Sequence, residues 1–441
     1  MDTPIYDFVK KYAETDPLRA HMPGHKGVSR LGVESLDITE INGADSLYEA
    51  RGIILESERN ASALFGAHTL YSTEGSSLSI RAMLAMIVRY SAEQGRRPLV
   101  LAARNAHKSF IYGAAMVGAE VEWIYGESYL SCNISLNELR AKIAETKPVA
   151  VYITSPDYLG MVENIQAIAA ICHAHGVLLA VDSAHGAYLK FLKPSLYPID
   201  LGADLVCSSA HKTLPVLTGG GYLHISEKAP RELLDYARSS MELFGSTSPS
   251  FLALESLDLC NRELSEGYAE AIADFARLAA KYAEKLNTGG YVLISDEPLK
   301  LTIAAKKYGY LGNELGALLE LEGIIPEFSD RDYLVLMLTP DVGEAGLLRI
   351  TDALLAIPRR DEIAENPPKP SRLESAVSAR CALFSPSETV PVSNSFGRIL
   401  ASASVGCPPA VPLAVSGERI DENTQAAFEY YGIEFVSVVK E

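Results

Sequence analysis

A chain of 441 residues exceeds the roughly 250–300 at which one hydrophobic core stops growing, so two domains are expected. With 48% hydrophobic and 22% charged residues the composition is that of a globular protein able to bury a core, which excludes a disordered or fibrous class. The formal charge of −17 argues against a surface for nucleic acid or anionic membrane, since both would be repelled.

The first residues, MDTPIYDFVKKYAETD, lack a basic region followed by an apolar run, so no secretory signal is read there. No apolar stretch approaches the roughly 20 residues needed to span a bilayer. Cys132, Cys172, Cys207, Cys260, Cys381 and Cys407 are scattered without a C-x-x-C pair, the usage expected of reduced, mostly buried thiols in a cytoplasmic protein.

Between about residues 55 and 226, short apolar runs alternate with helical patterns. Strands are predicted at 98–103, 120–125, 148–154, 177–182, 204–209 and 221–226, and helices at 76–93, 107–117, 135–146 and 163–175. Continuous apolar strands between helices imply an α/β fold whose mostly parallel sheet is covered on both faces. Long helices follow at 229–245 and 251–286, then strand candidates at 290–295, 299–305 and 333–339 in a smaller α+β region. A proline-rich, charged stretch at about 359–374 reads as a linker. The expected organisation is an N-terminal segment 1–54 contributing to the site and to a dimer, a major domain 55–286 and a small C-terminal domain 287–441.

Ligands of parallel α/β sheets bind at the carboxyl ends of strands, and four places stand out there. Gly75, Ser76 and Ser77 in STEGSSLS open a helix, where backbone amides and hydroxyls suit a phosphate; an ordinary serine N-cap explains any one of them. His107 in NAHKSF follows a strand and could stack on a flat ring, although a histidine at a helix start is commonly without a ligand. Asp182 ends a buried strand, with His185 three residues on. A carboxylate there needs a cationic partner such as a protonated pyridine nitrogen, with helix capping or a metal as competing readings. No third ligand cluster completes a metal site. Lys212 in SSAHKTLP lies in the exit loop of another strand, where a desolvated lysine suits Schiff-base chemistry.

Taken together, HMPGHKG (21–27), DITEINGADSLYEARGIILESE (37–58), NAHKS (105–109), VDSAHGAYL (181–189), SSAHKTLP (208–215), STSPSFLALESLD (246–258) and GRILASASVGCPPAVPLAVSGERI (397–420) resemble, in order, the signatures of the ornithine/lysine/arginine decarboxylases. These are pyridoxal-phosphate (PLP) enzymes of fold type I, the aspartate aminotransferase-like fold. The resemblance implies a major domain with a seven-stranded type of sheet and a small α+β domain. It implies that Lys212 forms the internal aldimine with PLP, that Asp182 pairs with the pyridine nitrogen, that His107 stacks on the ring and that His185 lines the pocket. Ser76, Ser77, Ser209 and His211 would hold the phosphate, with Gly75 allowing close approach. Ser246 or Thr247 would reach the phosphate of a neighbouring subunit, making the unit at least a dimer.

Two departures from the family pattern stand out. Glu74 takes the place of a neutral amide beside the phosphate loop, which could weaken PLP binding. The chain also starts directly before HMPGHKG, where large relatives carry a receiver-like wing, so a homodimer or dimer of dimers is expected. The implied activity is loss of CO2 from arginine, lysine or ornithine to give the amine, as in polyamine metabolism, with Lys212 or His185 protonating Cα. An aminotransferase with Arg349 or Arg398 as carboxylate clamp, or a PLP-binding protein with little turnover, are the alternatives. Glu40, Asp45, Glu49 and Glu418 are candidates for the basic end of a substrate, and Tyr158 for the pocket border.

Overall fold

The computed structural model describes residues 1–406 and 411–440; Cys407 and its neighbours in the C-terminal signature lie outside the described residues. Seven strands form one sheet: β1 His68–Ser72, β2 Leu99–Ala103, β3 Glu120–Ile124, β4 Ala150–Thr154, β5 Leu178–Asp182, β6 Leu205–Ser208 and β7 Gly221–Ile225, in the order β1-β7-β6-β5-β4-β2-β3. The β2–β3 and β5–β6 pairs are parallel, whereas β7 runs antiparallel to both β1 and β6. β2, β5, β6 and β7 are buried throughout, which is why they read as unbroken apolar runs rather than alternating patterns.

Six of the seven strands match the expected runs. β1, HTLYS, is the exception, being largely polar; its Thr69 hydroxyl is satisfied inside the fold by His224 Nδ1 at 2.9 Å.

By compactness the chain divides into two units, one comprising residues 1–98, 148–151 and 165–270 and the other the remainder. The first contains β1, β5, β6 and β7, the helix Gly75–Glu93 and the helices Arg231–Glu242 and Phe251–Glu263. The expected single helix over 251–286 is two helices, because Gly267 adopts φ 123° within the π-helical turn Leu264–Tyr268 before the helix Ala269–Thr288 resumes. A glycine alone tolerates that backbone, and it ends the regular hydrogen-bond ladder.

The second unit holds a three-stranded antiparallel sheet in which β10 Tyr333–Met337 lies between β8 Lys300–Ala304 and β9 Phe328–Ser329. The expected strand at 290–295 is reduced to an isolated bridge, Leu293 to Ile303, since the chain enters it from a turn in which Gly290 has φ 96°. Two antiparallel pairs complete the unit, β11 Ser387–Pro391 with β14 Phe435–Val439 and β12 Ser404–Gly406 with β13 Pro412–Val415. Their core joins Leu400, Leu413, Phe428, Val436 and Val438. Residues 359–374 contain no helix or strand.

Four of the five described cysteines are buried, Cys381 is exposed and none of the five is in a disulfide. Among the described residues no helix is long and apolar enough to cross a membrane.

Candidate active site

Three strand ends of the first unit meet along one edge. Ser72 pairs with Gly221 and Ser208 with Tyr222, so β1 and β6 both end where β7 begins, and the parallel register of Asp182 with Cys207 puts the end of β5 beside them. The three loops that leave this edge carry Gly75 and Ser76, then Asp182 and His185, then Ser209, His211 and Lys212.

The first loop enters the 19-residue helix Gly75–Glu93. Gly75 has φ 62° and donates its N–H to Gly219 O at 2.6 Å; a Cβ there would stand 3.3 Å from His211 Cε1. Gly221 is equally constrained, because its Cβ would lie 2.9 Å from Ser208 O and about 3.0 Å from the Gly75 backbone. The Ser76 N–H donates to Ser209 Oγ at 3.1 Å, and the Ser209 hydroxyl donates to Ser76 Oγ at 3.0 Å. His211 Nδ1 donates to Gly220 O at 2.8 Å, since a carbonyl only accepts, which leaves Nε2 as its unprotonated edge when the ring is neutral. Ser77 follows on the same first turn. Amides and hydroxyls clustered at the start of a long helix form an anion cradle.

Asp182 is 2% exposed and accepts from the Ala184 N–H at 3.1 Å and the Cys207 S–H at 3.5 Å. Burial, with the Asp182 charge second, holds the Cys207 thiol well above the usual range, so it stays protonated as that donor. His185 is 6% exposed, and its Nε2 lies 2.9 Å from Lys212 Nζ. Lys212 stands on the single helical turn Ala210–Thr213, its own N–H donating to Ser209 O at 3.1 Å.

The remaining candidate site residues are arranged differently. His107 follows β2 in the second unit, where Nδ1 caps the helix Lys108–Val117 by accepting from the Ser109 N–H at 3.2 Å, with the ring exposed. Ser246 and Thr247 are exposed between two helices of the first unit, and the Ser246 N–H donates to Glu74 Oε1 at 2.8 Å. The Glu74 carboxylate is thus turned to that segment.

Several acidic and basic candidates are used within their own neighbourhoods. Glu418, 1% exposed, takes Arg104 in a two-pronged pair at 2.8 and 2.7 Å and also accepts the Val415 N–H at 2.8 Å, so it is withdrawn from substrate recognition. Asp45 accepts four main-chain N–H groups, from Ser46, Arg51, Gly52 and Ile54, and Glu40 takes the Ser46 hydroxyl at 2.7 Å. Arg349 bonds Glu322 O, while Arg398 pairs with Glu388 at 2.6 Å. Tyr158 donates to Glu327 at 3.0 Å.

The sequence reading missed Arg104 and Glu255. Arg104 directly follows the apolar strand β2, a place where a buried guanidinium needs a partner. Glu255 falls on the helical stripe of Phe251, Glu255 and Asp258, all at most 3% exposed.

The donor set fits PLP: a cradle for a phosphate monoester that a Cβ at position 75 would crowd, a buried carboxylate for a pyridinium nitrogen, and a lysine amine for an aldehyde. Among the described residues no His, Cys, Asp and Glu cluster is disposed to hold a metal ion.

Comparisons with known proteins agree with this arrangement. The chain is 27% identical over 459 residues to an arginine decarboxylase of Bacillus subtilis, covering 96% of this chain and 92% of that protein. It is 28% identical over 463 residues to an arginine decarboxylase of Halalkalibacterium halodurans, with the same coverage. The crystal structure of a lysine decarboxylase from Francisella novicida superposes with a TM-score of 0.78 at 17% identity over 99% of this chain and 81% of that one, which establishes the PLP fold type I architecture. Since the family model for the Orn/Lys/Arg decarboxylase major domain matches residues 3–288 and that for the C-terminal domain matches residues 362–436, the chain belongs to the Orn/Lys/Arg decarboxylase family.

Proposed function

We propose that the protein is a PLP-dependent decarboxylase that converts a basic amino acid, arginine, lysine or ornithine, to its amine and CO2. The observation that carries this reading is the 2.9 Å approach of Lys212 Nζ to His185 Nε2, on loops that leave the sheet edge beside Asp182. Family membership and relatives named arginine decarboxylase support it.

In this reading Lys212 Nζ would be the group that holds the cofactor covalently. Gly75, Ser76, Ser77, Ser209 and His211 would hold the phosphate, Asp182 would keep the ring nitrogen protonated, and His107 would cover the ring. PLP, when bound, supplies the electron sink that accepts the pair left by the departing carboxylate. The chain's own part is to orient and to manage protons. Lys212 Nζ would deliver a proton to Cα, and His185 Nε2, 2.9 Å away, would keep that amine in place and share its proton. The Asp182 carboxylate is oriented by the Ala184 N–H and the Cys207 S–H, both on Oδ1.

The engagement of Arg349 and Arg398 with neighbouring groups leaves the aminotransferase reading without its carboxylate clamp. We also propose a cytoplasmic homodimer or dimer of dimers, with Ser246 or Thr247 serving the phosphate site of the second subunit. Leu18, Leu31 and Leu243, between 67% and 97% exposed in the single chain, support a covered surface.

The test is to incubate the purified protein with PLP and each of the three amino acids and to identify any amine and CO2 formed. Amine from one of them, lost in Lys212→Ala, is the expected result. Keto-acid product, or an inert holoprotein, would overturn the reading.

A further inference from the structure

The helix Phe251–Glu263 buries an acid that nothing above employs. Glu255 is 3% exposed, and its Oε1 has no hydrogen-bond partner among the described residues. An acid in that position is costly, because burial removes its water and no donor replaces it.

Its surroundings lie within the first unit. The next residue, Ser256, accepts the Leu217 N–H at 3.1 Å, and a Cβ on Gly220 would come 3.4 Å from Leu257 Cδ2. This turn of the helix therefore lies against residues 217–220, the segment that leads from Lys212 into β7. The charged groups that act on Glu255 are Asp37 and Asp258. Asp258 is spent on the N–H groups of Ile5 and Tyr6, at 2.9 and 3.0 Å, and on the Ser57 hydroxyl. Asp37 is partly open, its side chain 31% exposed, and its ion-pair partner is His25 at 3.0 Å. The nearby cation, Arg19, turns its guanidinium to the carbonyls of Glu34, Ser35 and Asp37 and not to a carboxylate. Glu255 is thus a buried acid with an unanswered Oε1 on the turn that lies against the Lys212 segment, and Asp37 is the stronger of the two charges acting on it.

We propose that Glu255, with Asp37, receives the cationic end of the substrate, an ammonium or guanidinium group; this rests on the decarboxylase reading above. Burial, with Asp37 and Asp258 adding to it, pushes the Glu255 carboxyl up to about 8, so without a cation it holds its proton. A bound cation takes that proton's place: one H+ leaves to solvent as one positive charge enters, and the buried charge stays balanced. A neutral side chain of the same length leaves the acid unanswered, so the pair selects for charge.

The experiment compares wild type, Glu255→Gln and Asp37→Asn, each loaded with PLP, against arginine, lysine, ornithine and uncharged norleucine. The readouts are calorimetric Kd values and, for any amino acid that turns over, KM and kcat separately. For the best basic ligand we expect the Kd ratio relative to norleucine to shift at least tenfold toward norleucine in Glu255→Gln, with KM and not kcat carrying the change. The wild-type Kd for the basic ligand should fall as pH rises through about 8, and that slope should vanish in the variant.

A Kd ratio within twofold of wild type in both variants overturns the proposal, as does parallel weakening of basic and neutral ligands, the mark of a purely structural role. If Glu255→Gln does not fold, the Asp37→Asn ratio decides alone. Absence of amine product in wild type overturns the decarboxylase reading, while the Kd ratio, which needs no turnover, still decides this one.

Discussion

The clasp of Arg104 with Glu418 and the loops around Lys212 are both buried and polar, yet they are built on opposite rules. In the clasp each carboxylate oxygen meets a guanidinium nitrogen, a main-chain N–H adds a third bond, and the Trp123 and Tyr125 rings lie 5.1 and 5.3 Å from the guanidinium carbon. Nothing is left over for a ligand. Around Lys212, glycines at 75 and 221 let strand ends and loops pack where a Cβ would crowd them, and the polar groups there bond one another, Ser209 to Ser76 and Lys212 to His185. Saturated polarity marks architecture, and reactive side chains gathered with small residues at strand ends mark a place where something else binds.

The contrast can be broken by substitution. Lys212→Ala should cost about a thousandfold or more in turnover, the scale on which loss of a group acting in covalent or proton chemistry is felt, with thermal unfolding unchanged. Steady-state kinetics beside a melting curve checks both halves.

The clasp should behave in reverse. Glu418→Gln leaves a buried guanidinium without its charge and should destabilise by about 3–5 kcal/mol in urea unfolding, whereas the double variant Arg104→Met/Glu418→Leu should recover most of that loss. Failure of the double variant to recover would mean that the clasp does more than hold the fold.

A third prediction separates the two kinds of acid by pH. Burial, foremost in each case, raises Asp157 to about 6, Glu163 to about 7 and Glu255 to about 8, above ordinary values of 3.8 for Asp and 4.5 for Glu. Between those ordinary values and the raised ones the folded chain holds protons that the unfolded chain has lost, so stability is full at the acid end and falls as pH rises toward 8. Melting temperature should decline by several degrees from pH 5 to pH 8, and Glu255→Gln should flatten the upper part of that decline.

The smallest effect concerns Glu74, which sits immediately before the cradle helix. Glu74→Gln keeps an acceptor for the Ser246 N–H and removes a negative charge from a helix N-terminus that we propose binds phosphate. PLP affinity, followed by absorbance titration, should tighten roughly two- to fivefold, and pyridoxal without its phosphate should bind no better.

What could be read in the sequence follows the same division. β2, β5, β6 and β7 were legible because strands buried on both faces are written as apolar runs, and the strand-end positions of Asp182 and Lys212 followed from them. β1 was not legible, since the Thr69 and Tyr71 hydroxyls of HTLYS find partners far away in sequence, in His224 and Asn261. The break at Gly267 was hidden inside a stretch whose helical periodicity continues on both sides. Glu418 was visible as an acid, but its commitment to Arg104 spans 314 positions, and only folding brings the two together. Glu255 looked like one charge among many, and only folding buries it.

The one-turn helix Ala210–Thr213 has a consequence for how the chain can vary. Ser209, His211 and Lys212 fall within four consecutive positions, and the Lys212 N–H is tied back to Ser209 O. One residue inserted between 209 and 212 would swing the lysine by about 100° around the turn, away from His185, while leaving the serine where it is. Grip and reactivity are therefore inherited as a single reading frame of side chains: this peptide can exchange residues, but it cannot change length.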